Sequence, residues 1–215
     1  MNTKRSKILL ALITLVVAAL ACSLPGSGAL FEDNFEGDTT KWGTGTDPDS
    51  SVEYAGGGLQ MQVFTGSYMM WSTPKAEPFE SIHVEVTVKS KDTDPLTAFG
   101  IICYMQEFTD AFYYLAITPG GDYVIADKSL ALDSIILTND GEWATSDLIE
   151  PNKDSYRLGA DCGNGALTLY VDGQKIDSAT DDSYTTGNIG LLLWSDAEVK
   201  NVDVTFDDVV VTKLK

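Results

Sequence analysis

Ile82-His83-Val84-Glu85-Val86-Thr87-Val88-Lys89 alternates apolar and polar residues at every step. A period of two puts Ile82, Val84, Val86 and Val88 on one face of a strand. It leaves His83 and Glu85 together on the other face, toward solvent or a groove. Leu167-Thr168-Leu169-Tyr170-Val171 and Val202-Asp203-Val204-Thr205-Phe206 repeat the pattern. Gly100 to Met105 and Ile189 to Trp194 are apolar at both parities, which predicts central strands covered on both faces. Turn chemistry falls between the runs, as in Gly56-Gly57-Gly58, Gly120-Gly121-Asp122, Asn139-Asp140-Gly141, Gly163-Asn164-Gly165 and Asp172-Gly173. About a dozen short strands at this spacing predict an all-β, two-sheet antiparallel sandwich. Residues 30–215 show no helical stripe with caps, no fixed repeat and no second linker, so one domain accounts for them.

Composition narrows the function. Apolar residues make up 44% and aromatics 10% of the 215 positions, enough for a sandwich core. With 14 basic and 32 acidic residues the formal charge is -18, which repels phosphate backbones and excludes nucleic acid as a partner. His83 is the only histidine, so it can serve at most one of the Ser-His-Asp, Cys-His and histidine-metal chemistries. The composition points to a binding or structural domain.

Lys4, Arg5 and Lys7 precede an apolar run from Ile8 to Ala21. That length suits a signal segment and is short for a membrane span. The run ends Ala19-Leu20-Ala21-Cys22, which resembles the lipobox of bacterial lipoproteins, with alanine where leucine is commoner. The resemblance implies cleavage after residue 21, lipidation of Cys22 and a flexible tether over residues 22–29. The location it implies is the extracytoplasmic face of a bacterial cell membrane. Losing three positive charges from a chain of net charge -18 leaves -21. Anionic lipid then repels the domain, and the lipid anchor alone holds it at the membrane.

Cys103 and Cys162 remain as an even pair in an exported chain. They read either as a disulfide or as two separate buried thiols.

The order Phe99 to Gln106, Phe112 to Pro119 and Gly121 to Ala126 resembles bacterial laminin-G-like modules. The stretches Asp154 to Asp161, Leu167 to Gly173 and Val204 to Val211 continue the pattern. Leu30 to Phe35 with Trp42 resembles the opening of concanavalin A-like jelly rolls. The resemblance implies a jelly-roll sandwich over nearly the whole mature chain. Its glucanase branch uses Glu-x-Asp-x-x-Glu to hold nucleophile and acid about 5 Å apart, and no such sextet occurs here. A glycoside or 3-keto-disaccharide hydrolase therefore rests on fold analogy alone. The resemblance also implies a structural Ca²⁺ joining the first and last strands, with Asp33, Asn34, Gly58 and Asp207 as candidate oxygen donors. Asn34 replaces an acid of that pattern. The mixed parity at Asp207-Asp208 predicts a bulge.

Sugar rings stack apolar C–H faces on aromatic side chains. If Leu115 and Ile117 face the core, Phe112, Tyr114 and Ala116 line the opposite face, shared with Ile102, Tyr104 and Gln106. Trp71, Tyr104, Gln106, Tyr114, Trp143 and Trp194 are the candidate carbohydrate-binding residues, with Trp143 the most exposed and Trp42 structural. Three expectations follow. The first is a lipid-anchored module that binds polysaccharide or glycan without cleaving it. The second is a sandwich that docks an envelope protein, and the third is the hydrolase.

Overall fold

The computed structural model describes residues 28–90, 93–129 and 134–214. Cys22, the signal segment and most of the tether lie outside the described residues. The strands are β1 (Ala29–Asp33), β2 (Gly45–Thr46), β3 (Ser50–Ala55), β4 (Gly58–Val63), β5 (Tyr68–Ser72) and β6 (Ile82–Lys89). Then come β7 (Ala98–Met105), β8 (Phe112–Ile117), β9 (Asp122–Lys128), β10 (Ile135–Ile136) and β11 (Ala144–Thr145). The series closes with β12 (Ser155–Gly163), β13 (Ala166–Val171), β14 (Gln174–Thr180), β15 (Asn188–Ser195) and β16 (Val202–Lys213). Among the described residues the one helical element is a single 3-10 turn at Asn139–Gly141.

These strands make two antiparallel sheets packed as a jelly-roll sandwich. One has nine strands in the order β14-β13-β12-β6-β16-β4-β3-β2, with β1 also pairing β16. The other has seven, in the order β10-β9-β8-β7-β15-β5, with β11 beside β9. The alternation in β6 sends Ile82, Val84, Val86 and Val88 inward, all 0% exposed. Each such burial contributes roughly 1.5–3 kcal/mol. Val86→Asp would put an unpaired carboxylate in that layer, the most damaging kind of change there. The runs apolar at both parities are β7 and β15, neighbours inside the seven-stranded sheet. Gly100 permits the close approach of β7 and β8, because a Cβ there would lie 2.2 Å from the Leu115 carbonyl oxygen.

Cys103 on β7 and Cys162 on β12 form a disulfide, with Cα atoms 6.4 Å apart. It ties one sheet to the other across the core, and the two-thiol alternative falls away. The register of β16 against β6 shifts between Asp207 and Val210, and Asp208 has φ 50°. This is the bulge expected from the mixed parity.

Candidate functional site

The outward face of the seven-stranded sheet carries an apolar cluster of its own, separate from the core between the sheets. Ile102, Phe112, Tyr114, Ala116 and Leu192 are buried in it, with Met69, Trp71, Ile136 and Trp143 packed over them. Alternation explains the set: Leu115 and Ile117 belong to the inner core, so Phe112, Tyr114 and Ala116 project outward. Trp143 lies against Trp194 with ring centroids 6.2 Å apart and planes at 26°. Trp71 meets Phe112 edge-on at 5.4 Å, and Lys128 Nζ stands 5.3 Å from the Trp71 ring centroid, a cation–π contact. Between these side chains is a cavity of about 220 Å³ lined by Met69, Ala98, Tyr114, Ala116, Ser134, Ile136, Trp143, Leu192 and Trp194. Burial pushes the Tyr114 phenol up, and its hydrogen bond with Ser134 opposes this. Trp71 and Met69 also border a more open trough of about 530 Å³ between Gly43–Asp47 and β5. Met69 is common to both linings, and the two spaces together are termed the aromatic groove.

The structure thus gathers Trp71, Tyr114, Trp143 and Trp194 on one face and puts Tyr104 and Gln106 elsewhere. Tyr104 takes φ 58° where β7 slips by a residue against β15, between Asn188 and Gly190. The extra residue reverses the parity, so Tyr104 enters the inner core. Its hydroxyl donates to the Cys162 carbonyl at 2.7 Å. Gln106 Nε2 donates to the Tyr104 and Thr186 carbonyls at 2.7 and 2.9 Å, fastening two loops. Trp143 is half-buried against Trp194, not the freely exposed ring its loop position suggested. Trp42 is 1% exposed, as its structural reading required.

The expected calcium donors already hold cations or amide hydrogens from the chain. Asp33 accepts Lys41 Nζ at 3.2 Å, the Phe35 N–H at 3.1 Å and Trp42 Nε1 at 3.0 Å. Asn34 Oδ1 accepts the Glu36 N–H. Lys89 Nζ donates to Asp207 Oδ2 at 2.8 Å and to the Gly57 carbonyl, beside Gly58, at 3.4 Å. Among the described residues no group of three or more His, Cys, Asp or Glu side chains is arranged for a metal ion. Asp33, Asn34 and Asp207 are thus each engaged by groups of the chain itself.

Two polar networks escaped sequence reasoning. On the outer face of the nine-stranded sheet, His83 Nδ1 lies 2.6 Å from Asp161 Oδ1, whose second oxygen accepts the Tyr170 hydroxyl at 2.7 Å. Glu85, expected beside His83 alone, accepts Arg157 Nη2 at 3.0 Å and Nε at 3.3 Å. Burial pushes the Glu85 carboxyl up, but the Arg157 and His83 hydrogen bonds outweigh it and hold the group low. The register pairing Asp161 with His83 joins residues far apart in the chain, which no local pattern signals. On the core side of the other sheet, the Tyr113 hydroxyl donates to Asp181. Neighbouring Asp127 has its Oδ1 buried without a hydrogen-bond partner. Burial, then the Asp181 charge, push the Asp127 carboxyl up, and a hydrogen bond with Tyr184 opposes them. Two carboxylates with opposed shifts are the raw material of acid–base pairs; Asp181 lines a separate pocket of about 360 Å³ with Glu80, Tyr104 and Tyr184, not the aromatic cavity.

No family model and no curated protein matches the chain. Solved structures do. Carbohydrate-binding module CBM66 from Bacillus subtilis superposes with a TM-score of 0.62 at 16% identity, covering 82% of this chain and 98% of that one. A Bacillus licheniformis β-glucanase gives 0.61 at 16% identity, covering 87% and 100%. A galectin-like Bacillus subtilis protein gives 0.60 at 12% identity, covering 86% and 96%. At such identities the likeness establishes the fold: a jelly-roll sandwich of the concanavalin A type.

Proposed function

We propose that this chain is an extracytoplasmic carbohydrate-recognition domain that holds a glycan in the aromatic groove of the seven-stranded sheet without cleaving it. The observation that carries the reading is the convergence of Tyr114, Trp143 and Trp194 around a cavity, with Trp71 on the same sheet face bordering the neighbouring trough. Stacked aromatics with a few hydroxyls at the edge suit pyranose rings, whose C–H faces are apolar. The likeness to a carbohydrate-binding module supports it. The acidic net charge of -18 favours neutral glycans over uronates and sialates.

A hydrolase is the second reading, favoured by the β-glucanase likeness. It needs two carboxyl groups roughly 5–9.5 Å apart across a bound sugar. Among the described residues no carboxylate lines the cavity and Asp47 alone lines the trough, so neither space holds such a pair. The anchor belongs to the same proposal: Cys22 carries lipid and holds the domain outside a bacterial cell membrane. The disulfide supports an oxidising compartment. Cys22→Ser then abolishes lipid labelling, and unchanged labelling would remove the anchor from the account.

The test is retention on a panel of soluble and insoluble polysaccharides, with released sugar assayed in the same tubes. Retention without release, lost in Trp194→Ala and Trp71→Ala, is the expected result. Released sugar makes the protein a hydrolase. No retention on any polysaccharide rejects the glycan reading and leaves an envelope protein as the partner to pull down.

A further inference from the structure

The cavity under Trp143 and Trp194 has a chemistry that selects among sugars. Its volume of about 220 Å³ is below the roughly 300–1,000 Å³ of clefts that take drug-sized ligands. It holds one sugar residue or substituent, not a chain. Ala98, Ala116 and Leu192, each 1% exposed or less, form its floor beside Met69 and Ile136. Apart from the indoles, its polar lining side chains are Tyr114, itself 6% exposed, and Ser134. No charged side chain lines it among the described residues.

We propose that this cavity receives a methyl group on a neutral sugar, either the acetamido methyl of an N-acetylhexosamine or C6 of a 6-deoxyhexose. The proposal rests on the glycan-binding reading and names its ligand class. A sugar hydroxyl pressed onto that floor gives up water and finds no partner, which is costly. A methyl group in the same place leaves water for apolar contacts, which is favourable. Small residues at Ala98 and Ala116 provide the room, and the lack of charge among the described lining residues matches a neutral ligand.

Matched pairs of immobilised sugars test it on the unmodified protein: N-acetylglucosamine against glucose, and L-fucose against L-galactose. The methyl-bearing member of at least one pair is expected to bind about tenfold more tightly or better. The pair that discriminates identifies which methyl is read. Ala116→Leu, with an unchanged circular dichroism spectrum, should fill the floor and erase the preference. Equal binding within both pairs overturns the proposal while leaving glycan binding intact. Failure to bind any polysaccharide or sugar overturns this proposal together with the reading beneath it.

The lysines at the expected calcium donors carry a second, independent inference. We propose that Lys89 takes a metal's place, its ammonium clasping the turn at Gly57 to the closing strand at Asp207. Lys41 does the same for Asp33. The fold is then indifferent to divalent cations. Melting in chelator and in millimolar calcium should give the same Tm for the unmodified protein, and Lys89→Met should melt lower in chelator. A Tm that falls on chelation, or a variant as stable as its parent, overturns the proposal.

Discussion

Replacing both Cys103 and Cys162 by alanine removes the disulfide cross-link between the sheets and changes little of their packing. The bridge closes a loop with a sequence separation of 59. In the chain-entropy picture a loop of that size restricts the unfolded chain by about 4 kcal/mol. The Cα spacing of 6.4 Å lies inside the usual range for a disulfide, so that restraint carries over to the folded protein. Domains of this size shift by about 2–4 °C in Tm per kcal/mol, so the double variant should melt roughly 8–16 °C lower. Both side chains are 0% exposed, and the small voids left by alanine add to the loss. Scanning calorimetry of the two proteins measures the difference, and thiol titration of the unfolded parent without reductant should find neither Cys103 nor Cys162 free. Two free thiols there, or a Tm drop of a degree or less, would refute the reasoning.

Asp127→Asn should stabilise the protein near neutral pH, because it removes a buried carboxylate charge that Asp181 repels. Burial raises the Asp127 carboxyl in the folded state. Parental stability therefore falls as pH rises from the unfolded carboxylate range through the folded one, and the advantage of Asn disappears at the acid end. Urea titrations across pH measure this, and an advantage that grows on acidification would contradict the assignment. Glu85 behaves in the opposite sense. Its lowered carboxyl stabilises the fold above the unfolded carboxylate range and loses that contribution as pH falls through its folded value. The pair is half-exposed, with the Glu85 side chain 42% accessible, so Arg157→Ala should cost no more than about 1 kcal/mol. The Glu85 carboxyl should titrate at higher pH in that variant by NMR. An unchanged titration would mean that Arg157 does not hold it.

The sheets were legible because their signal is local. Alternation in β6, β13 and β16 and double-parity runs in β7 and β15 each follow from a strand's period of two. Phe112, Tyr114 and Ala116 could be put on one face by the same rule. Tyr104 could not, since a tyrosine at positive φ leaves no mark in the sequence and one extra residue reverses every side chain beyond it. Trp143 had no period to follow in its loop, and its contact with Trp194 depends on how that loop folds back. The pairing of Lys89 with Asp207 joins residues 118 apart in the chain, which no local pattern signals. Asp127 sits at the end of an apolar strand, and its burial becomes visible only when Tyr113 and Asp181 close over it.

The most direct measurement follows the four indole N–H signals by NMR while a retained soluble glycan is titrated in. Trp71, Trp143 and Trp194 border the groove, whereas Trp42 is 1% exposed and its Nε1 donates to Asp33. A glycan in the groove should shift the first three signals along saturable curves with one common Kd and leave Trp42 in place. Saturable binding that moves none of the three would place the ligand elsewhere on the protein and contradict the account.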